Sequence, residues 1–511
     1  MDKETIKSFE FSVNEYLKSQ VEWIERGRPR LPDGPDMLSL LCMSVGRVLT
    51  NFAVRYGSPG KAFMEVSMDD MRHIYDWLLV ASMRGEAWLS RCDDQGRPLK
   101  LLKFGTIQQI LAEANKAMAK RRGDGFRVPA GEGVEVVHDC GHGWTVVRLK
   151  TPGALDHEGH VMGHCVGQGA YDLSLSTNFT GIYSLRDPFG KSHVTIEIDH
   201  AMDVVQQIKG KQNKPPKAEY MRRLLGWRGL KDVSVAGTEL PSGFCVEKTR
   251  GIVELSSLKA GDVFEGTIGI VLKDHDDYTL DIPAGVTIRG DVVVQGQRAG
   301  KLVEVGNVIQ MLYPKVAIPE EVFVDGFVRL DHVTLDRLSV VARRLIIRNS
   351  TVHKIEDAQC DIAQFGATTF APAALDGASF RGSVEMQACR GVVFLPTTRI
   401  GGSVSIAGCR PGQGEGNVPI EFSDHFEARR RLSIFNSLVS FGNLSVDGSL
   451  DIEKSSVLHM PSILSVTGDF SVEDSLIDKW PETLNVHGTV REKSVETNEL
   501  AAATTDLRAM R

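Results

Sequence analysis

Apolar residues near the start of the chain recur at three- and four-residue steps, the spacing that forms one stripe on an α-helix. The first stripe covers residues 6–24, and the turn-rich segment GRPRLPDGP follows it. Residues 37–54 have the pattern of a second, more buried helix. Ser67 precedes Asp70, and Thr106 precedes Gln109, at the spacing of a helix capping box. Residues 1–125 are therefore predicted to form an α-helical domain.

Between residues 130 and 235 the apolar residues recur at every second position, as in β-strands. Strands are predicted at Gly181–Arg186, His193–Ile198 and Val204–Lys209. Apolar residues form one face of these strands, including Tyr183, Leu185, Val194, Ile196, Ile198, Val204 and Ile208. The opposite face is polar and carries Ser184, Arg186, His193, Thr195, Glu197, Gln207 and Lys209. A helix that begins after Pro215-Pro216 completes a predicted α+β domain over residues 130–235.

The last part of the chain contains an internal repeat. Its copies are LSVDGSL from Leu444, LSVTGDF from Leu464, LNVHGTV from Leu484, IPAGVTIRGDV from Ile282, IPEEVFVDGFV from Ile318 and the shorter LPTTRIGGSV from Leu395. A fixed period with alternating apolar residues is typical of a stacked solenoid, in which neighbouring coils share one core. We therefore predict a β-solenoid of the parallel β-helix type over residues 250–495, followed by a tail at 496–511.

The repeat also predicts the stacking of individual residues. Val446, Val466 and Val486 should form one column, and Gly448, Gly468 and Gly488 another. Glycine is expected at a corner of each coil because it adopts positive φ without a Cβ clash. The alternative, a β-sandwich, would show no fixed register between its hairpins.

Composition narrows the class of protein. With 42% hydrophobic and 24% charged residues the chain is globular, and its net charge of −7 excludes a basic surface over the whole molecule. The eight cysteines are scattered without a CxxC pair, which suits free thiols in a reducing cytoplasm. The N-terminus lacks the pattern of a signal peptide, and no apolar run reaches about 18 residues. We expect a cytoplasmic protein without a membrane partner.

Groups capable of chemistry are concentrated in residues 158–213, in EGHVMGHCVGQGAYD, IYSLRD, HVTIEID and VVQQIKGKQN. One hypothesis is a metal-dependent nuclease, because Glu197 followed ten residues later by Gln207-Ile-Lys209 resembles the acidic hairpin of PD-(D/E)xK nucleases. There the carboxylate would hold Mg²⁺, and the lysine would orient water or stabilise the charge that develops on phosphorus. Against it, glutamine is a poor substitute for a metal-binding carboxylate.

Two further hypotheses use the histidines and Cys165. A Cys165 thiolate could act as a nucleophile if His193 or Arg186 lowers its pKa through the fold, since His164 would point away from it on a helix. His160, His164 and Cys165 could instead bind Zn²⁺, with the two histidines one helical turn apart on the same face. An arrangement like that of ADP-ribosyltransferases would use His164, Tyr183 and Glu197, at compressed spacing.

A non-catalytic role is the remaining alternative. The segment KGKQNKPPK at residues 209–217 holds four lysines in nine residues and could contact phosphates of DNA or RNA. Lys211, Asn213 and Lys214 are its predicted nucleic-acid-binding residues, with Arg186 and Lys209 as further cationic groups. The β-solenoid would offer a surface to a protein partner.

The motifs HCVG with a following tyrosine, Leu-Arg, Thr-Ile-Glu and Gln-Ile-Lys-Gly-Lys-x-Asn together resemble the PcfJ-like family of bacterial conjugative plasmids, integrated elements and phages. The resemblance covers about residues 130–230, and the terminal repeat is similar to arrays in bacterial and prophage proteins. It implies a mobile-element context but no reaction. The residues that it marks are His164, Cys165, Tyr171, Arg186, Glu197, Gln207, Lys209 and Asn213. We predict that His164, Arg186, Glu197 and Lys209 converge on one concave surface.

Overall fold

The computed structural model describes residues 3–25, 36–121, 132–164, 166–167, 171–172, 175, 178–230, 234–235, 240–272, 277–296, 301–305, 308–409 and 418–497. The chain divides into two compact units, Met1–Phe244 with Arg250–Ile252 and Cys245–Thr249 with Val253–Arg511. The first holds a helical N-terminal region and a central sheet, and the second holds a β-solenoid. The predicted fold class is confirmed.

The N-terminal region contains six described helices. They are α1 (Lys3–Glu25), α2 (Met37–Leu41), α3 (Arg47–Tyr56), α4 (Pro59–Phe63), α5 (Met68–Met83) and α6 (Ile107–Arg121). A π-helical turn, Cys42–Gly46, joins α2 to α3. The N-cap bond of both predicted capping boxes is present, because Ser67 Oγ accepts from Asp70 N and Thr106 Oγ1 accepts from Gln109 N. The Gln109 side chain reaches back to the N–H of Gly105. These bonds satisfy donors that the first turn of a helix leaves unpaired.

The core of this region forms where α1, α3 and α5 present their apolar stripes to each other, with Leu17, Leu49 and Trp77 fully buried. Among the described residues, one helical stretch, Met37–Tyr56, is long and apolar enough to cross a membrane by length and composition alone. In the most apolar 18-residue part of this stretch, 44% of the residues are buried inside the protein. The apolar side chains among them belong to this core. This burial agrees with a core helix.

The central sheet has six strands in the order β1-β2-β3-β4-β5-β6. They are β1 (Val134–Gly141), β2 (Trp144–Leu149), β3 (Thr180–Arg186), β4 (Ser192–Asp199), β5 (Val204–Lys209) and β6 (Ser234–Val235). Neighbours from β1 to β5 are antiparallel, and β6 runs parallel to β5. Helix α7 (Pro152–Met162) precedes β3, and α8 (Ala218–Leu224) follows β5.

The two faces of the sheet differ in polarity, and each packs against a different helix. One face is apolar and packs against residues of α8 and the segment after it, including Met221, Leu224 and Trp227. The other carries the polar side chains of β3, β4 and β5, and Glu158 of α7 bonds to it. The polar face is therefore enclosed in the protein, and α7 is the element that brings a carboxylate to it.

The solenoid runs from about residue 263 to 497, in about ten turns. Its longest sheet stacks β10 (Ile268–Val271), β13 (Val292–Gln295), β17 (Phe323–Asp331), β19 (Leu338–Arg348), β22 (Ile362–Gly366), β25 (Ser383–Gln387), β28 (Val404–Ala407), β31 (Leu432–Phe435), β34 (Leu450–Glu453), β37 (Phe470–Glu473) and β40 (Val490–Lys493). Adjacent members of this stack pair in parallel, so each is one coil further along the chain.

Shorter stacks form the other sides of the coils. They comprise β9 (Val263–Glu265), β12 (Thr287–Arg289), β18 (Thr334–Leu335), β20 (Thr351–Val352), β21 (Ile355–Gln359), β23 (Thr369–Phe370), β24 (Ser379–Phe380), β26 (Val393–Phe394), β27 (Arg399–Ile400), β29 (Ile420–Phe422), β30 (Phe426–Ala428), β32 (Leu438–Phe441), β33 (Leu444–Val446), β35 (Ser456–Val457), β36 (Ile463–Val466), β38 (Leu476–Ile477), β39 (Thr483–Val486) and β41 (Glu496–Thr497). Three small pairings complete the description, β7 (Phe244–Glu247) with β8 (Gly251–Glu254), β11 (Tyr278–Thr279) with β16 (Val316–Ala317), and β14 (Lys301–Val305) with β15 (Val308–Leu312).

The predicted columns of the solenoid are confirmed. Val446 pairs with Val466, which pairs with Val486, and the backbone N–H of Gly468 donates to Gly448 O. The reason expected for the glycines holds for Gly448, where φ is 146°, but not for Gly468 or Gly488. A Cβ on Gly468 would lie 2.8 Å from the carbonyl carbon of Gly448, so close stacking of the coils selects glycine there.

A buried polar ladder, Cys389, Cys409, Ser437, Ser455 and Ser475, runs along one corner of the solenoid. The backbone N–H of each of the first four residues donates to the side-chain sulfur or oxygen of the next, at 3.1–3.2 Å. Each serine hydroxyl in turn donates to the carbonyl two residues before it. The residues just before the ladder serines, Asn436, Lys454 and Asp474, adopt positive φ. The left-handed turn therefore lies at this corner, where buried hydroxyls satisfy the backbone donors.

Candidate functional site

Strand register sets the geometry of the polar face. Glu197 on β4 pairs with Gln207 on β5, and Thr195 pairs with Lys209, so all four side chains lie on one face. Arg186 at the end of β3 pairs with Ser192 and joins the same face. Arg186, Glu197 and Lys209 are between 4% and 7% exposed. Arg186, Glu197 and Lys209, three of the four residues predicted to converge, thus share one face, in a buried layer and not on an open surface.

Glu158 of α7 is the centre of this layer and is 0% exposed. Its carboxylate accepts hydrogen bonds from Ser192 Oγ and Thr195 Oγ1, both at 2.7 Å. The nearest Arg186 guanidinium nitrogen is 3.7 Å from Glu158 Oε2. A buried carboxyl group needs hydrogen-bond partners, and Ser192 and Thr195 supply two of them, with Arg186 nearby.

Glu197 has a second set of neighbours. Its Oε2 accepts a hydrogen bond from the buried phenol of Tyr171 at 2.9 Å. Ser184 lies on the same face as Arg186, and its buried hydroxyl has no hydrogen-bond partner in the described part of the chain. Tyr171, marked by the PcfJ-like resemblance, thus contacts the carboxylate that the nuclease hypothesis requires.

Arg72 of α5 enters the site from the N-terminal helices. Its guanidinium donates to the backbone oxygen of Gln206 at 3.2 Å and to the side-chain oxygen of Gln206 at 3.1 Å. With the Gln207 amide oriented to place its oxygen toward Arg72, that oxygen accepts from Nε at 3.2 Å and Nη1 at 2.9 Å. The guanidinium also stacks over the Trp23 ring. Because the side-chain oxygen of Gln207 accepts hydrogen bonds from the cationic Arg72 guanidinium, Gln207 is poorly placed to bind a metal ion.

A β-bulge makes this contact possible. Val205 pairs with Ile198 and Gln207 pairs with Glu197, so Gln206 is the extra residue between them. The bulge also changes which residue enters the apolar face. Val205 is fully buried there with Ile208, whereas the expected Val204 is only partly buried.

After β5 the chain forms a turn, Gly210–Lys214, that we name the lysine turn. Lys211 and Lys214 are exposed, and Gln212 and Asn213 have φ of 62° and 59°. Gly210 N donates to Lys214 O at 2.7 Å and closes the turn. Consecutive left-handed residues other than glycine are strained and persist only where surrounding contacts hold them.

Two histidines hold the lysine turn. His164 Nε2 donates to Gly210 O at 2.7 Å, and the Asn213 side-chain amide donates to His73 Nδ1 at 3.0 Å. His73 Nε2 lies 3.1 Å from Asn115 Oδ1 on α6, so it carries the proton. Burial lowers the pKa of His73, opposed by Asp76, Asn115 and Asp70 and reinforced by Lys209, which keeps its Nδ1 available as an acceptor. The Asn213 amide faces inward.

The predicted metal ligands do not form a helical pair. Helix α7 ends at Met162, and Gly163 has φ of 73°, so His160 and His164 do not share a helical face. His160 is exposed, while His164 is buried against Gly210. Cys165 lies outside the described residues. Among the residues that are described, no group of three or more His, Cys, Asp or Glu side chains is placed to hold a metal ion.

The predicted position of His193 on the polar face is wrong, whereas Tyr183 lies on the apolar face as predicted. A bulge opposite Arg186 turns His193 to the apolar side, where it bonds to Asp187 and lies between the rings of Trp144 and Tyr220. Tyr183 also lies on the apolar face and bonds to His200. The arrangement resembling ADP-ribosyltransferases, which needs Tyr183 beside Glu197, is therefore absent, and His193 does not join the polar face.

Sequence reasoning missed Glu158, Arg72 and His73. Glu158 begins the quoted EGHVMGHC segment, and the signal that could have identified it is an acidic residue on a helix otherwise facing an apolar core. Arg72 and His73 lie about 60 residues before the predicted α+β domain, and no local pattern relates them to β5.

A family model described as PcfJ-like protein matches residues 111–225. The match confirms the predicted resemblance for this part of the chain, which includes α7, β3, β4, β5 and the lysine turn. No curated protein and no solved structure matches the chain.

Proposed function

We propose that the PcfJ-like region binds nucleic acid through phosphate contacts and acts in a protein of bacterial mobile genetic elements. The observation that carries this proposal is the lysine turn, on which Lys211 and Lys214 are exposed while His164 and Asn213 anchor its backbone. Exposed lysines on a rigid turn supply positive charge with little loss of conformational freedom on binding. The mobile-element context comes from the family resemblance.

Charge and burial favour binding over metal chemistry at the layer beneath. Arg72, Arg186 and Lys209 are buried near the same strands, and Gln207 accepts from Arg72. Glu158 and Glu197 are already held by internal hydroxyl groups. Because these carboxylates already have partners inside the protein, the arrangement favours binding at the lysine turn over metal chemistry in the layer. A cytoplasmic location and a protein partner for the solenoid stay predictions.

The test is binding of fluorescent DNA and RNA oligonucleotides, single- and double-stranded, measured by anisotropy at several salt concentrations. Replacing Lys211 and Lys214 together by alanine should weaken binding and lower the salt slope by about 2, roughly one for each lost phosphate contact. Lys191→Ala is the matched control, because Lys191 is exposed on the β3–β4 turn. Wild-type protein that binds no nucleic acid at low salt, or a double variant that matches the control, contradicts the proposal.

Phosphodiester cleavage is a second candidate, favoured by one observation. Glu197 pairs across β4 and β5 with Gln207, and Lys209 follows on the same face, as the nuclease hypothesis predicts. Incubation with Mg²⁺ or Mn²⁺ should then give cleavage that Glu197→Gln and Lys209→Met both abolish. Cleavage that persists in these variants, while they remain folded by circular dichroism, would assign it to a contaminant.

A further inference from the structure

His73 lies on α5, outside the residues that match the PcfJ-like family, yet it contacts the lysine turn. Its two ring nitrogens have separate partners, Asn213 on the turn and Asn115 on α6. The histidine therefore bridges the helical region and the turn with a defined tautomer. A ring fixed at both nitrogens can hold a partner in place better than one fixed at a single atom.

Arg72, the preceding residue, reaches the other end of the same segment. It bonds to Gln206 and Gln207 on β5, which lie seven and six residues before Asn213. Adjacent residues of α5 thus hold both the strand and the turn that follows it. Because Asn213 has a left-handed backbone, loss of its side-chain partner removes a contact that opposes relaxation of the turn.

We infer that His73 is a positioning residue for the lysine turn, so that the binding module includes the N-terminal helices and not only residues 111–225. This inference rests on the proposed function for its effect on affinity. Its effect on the turn itself is independent of that function, which allows the two to be tested separately.

The experiment uses the full chain with His73→Ala, Asn213→Ala and both together. Hydrogen exchange measures the exchange rate of the Gly210 amide proton, which bonds to Lys214 O and closes the turn. Anisotropy with a duplex DNA reports binding. His73→Ala should speed exchange at Gly210 and weaken DNA binding by about two- to tenfold, the range of one net hydrogen bond. The double variant should be no worse than either single one, because both remove the same contact.

Lys116→Ala is the control, because Lys116 is exposed on α6 beside Asn115. Unchanged exchange at Gly210 in His73→Ala overturns the inference whether or not DNA binds. Faster exchange without weaker binding, in a wild-type protein that does bind, also overturns it. Faster exchange in a protein that binds no DNA keeps the positioning contact and rejects the proposed function instead.

A separate observation concerns the last described coil of the solenoid. Two apolar columns end at this coil. In one, Ile452 pairs with Val472, which pairs with the acidic Glu492. In the other, Ile477 pairs with the polar Thr497. Glu492 is exposed although it occupies an inward position. One coil after Ser475, the same corner is occupied by Val495. Its side chain has no oxygen that could accept a hydrogen bond and continue the polar ladder.

We infer that this coil is a cap that prevents a second copy of the chain from stacking on the solenoid end. A coil placed over Glu492 would bury its carboxylate without a partner, and inward-pointing charges of this kind protect the edges of sheets. Partners of the solenoid would then bind its sides.

The test is the mass of the full chain in solution, measured by analytical ultracentrifugation over a range of concentrations. Glu492→Val with Thr497→Ile should make the protein self-associate, while wild type keeps one mass. Glu473→Val is the matched control, because Glu473 lies on the preceding coil and faces outward. A double variant with the mass of wild type, or a control that associates equally, overturns the inference.

Discussion

The carboxylate of Glu158 on α7 accepts a 2.7 Å hydrogen bond from the hydroxyl of Thr195 on β4. This contact, with those to Ser192 and Arg186, attaches α7 to the polar face of the sheet. The helix is therefore joined to the sheet by a buried charge as well as by the small apolar cluster around Leu155 and Tyr171. We therefore expect the position of α7 to depend on the contacts of Glu158 with Thr195 and Ser192.

Replacing Glu158 by alanine should lower the free energy of unfolding by about 1–3 kcal/mol or more, because the buried hydroxyls of Ser192 and Thr195 would lose their carboxylate acceptor. Glu158→Gln should be milder, since its amide oxygen can still accept from Thr195. Urea unfolding followed by circular dichroism measures both effects. Glu135→Ala, which removes an exposed partner of Lys150, should change stability by less than about 1 kcal/mol and serves as the control. Equal effects of Glu158→Ala and Glu135→Ala would contradict the assigned role.

Replacing Val466 by aspartate should disrupt the solenoid, because Val466 is 1% exposed within its column. Burying an unpaired carboxylate there costs several kcal/mol, on the order of the stability of many domains. Ser465→Asp, one residue away and outward, should have little effect. Limited proteolysis and thermal unfolding would compare the two, and similar resistance would argue against the column.

Replacing Ser475 by alanine removes the acceptor for the buried N–H of Ser455. An unsatisfied buried donor costs about 1–3 kcal/mol, so the variant should unfold at lower urea concentration. Ser471→Ala changes an outward serine on β37 and provides the comparison. If both variants unfold at the same urea concentration as wild type, the polar ladder does not stabilise the solenoid.

Acid should destabilise the first unit partly through His73 and His200, whose pKa values are lowered, in each case chiefly by burial. Below the ordinary histidine pKa near 6.5 the unfolded chain binds protons that the folded chain does not. Stability should therefore fall as pH drops through that value toward the lowered pKa. His73→Gln should flatten this fall relative to its own stability at pH 8. Thermal unfolding from pH 8 to 5 measures it, and an unchanged slope would reject the contribution of His73.

The residues of the solenoid could be placed from sequence because its repeat is local. Each copy has the same apolar spacing, so the column of Val446, Val466 and Val486 follows from the period alone. The same holds for the capping boxes at Ser67 and Thr106, which act within one helical turn. What the period did not reveal is why glycine recurs, since Gly468 is selected by the coil before it.

For the central site, alternation along the chain predicts which residues of β3, β4 and β5 share a face, as far as the alternation is strict. The two β-bulges ended that alternation, moving His193 to the apolar side and Val205 into the core in place of Val204. A bulge puts the residues on its two sides out of phase with each other, and its energy depends on the partner strand. No local pattern predicts that Glu158 and Arg72 contact these strands or that His73 contacts the turn after β5. Such contacts join residues far apart in the chain, and packing, not local propensity, brings them together.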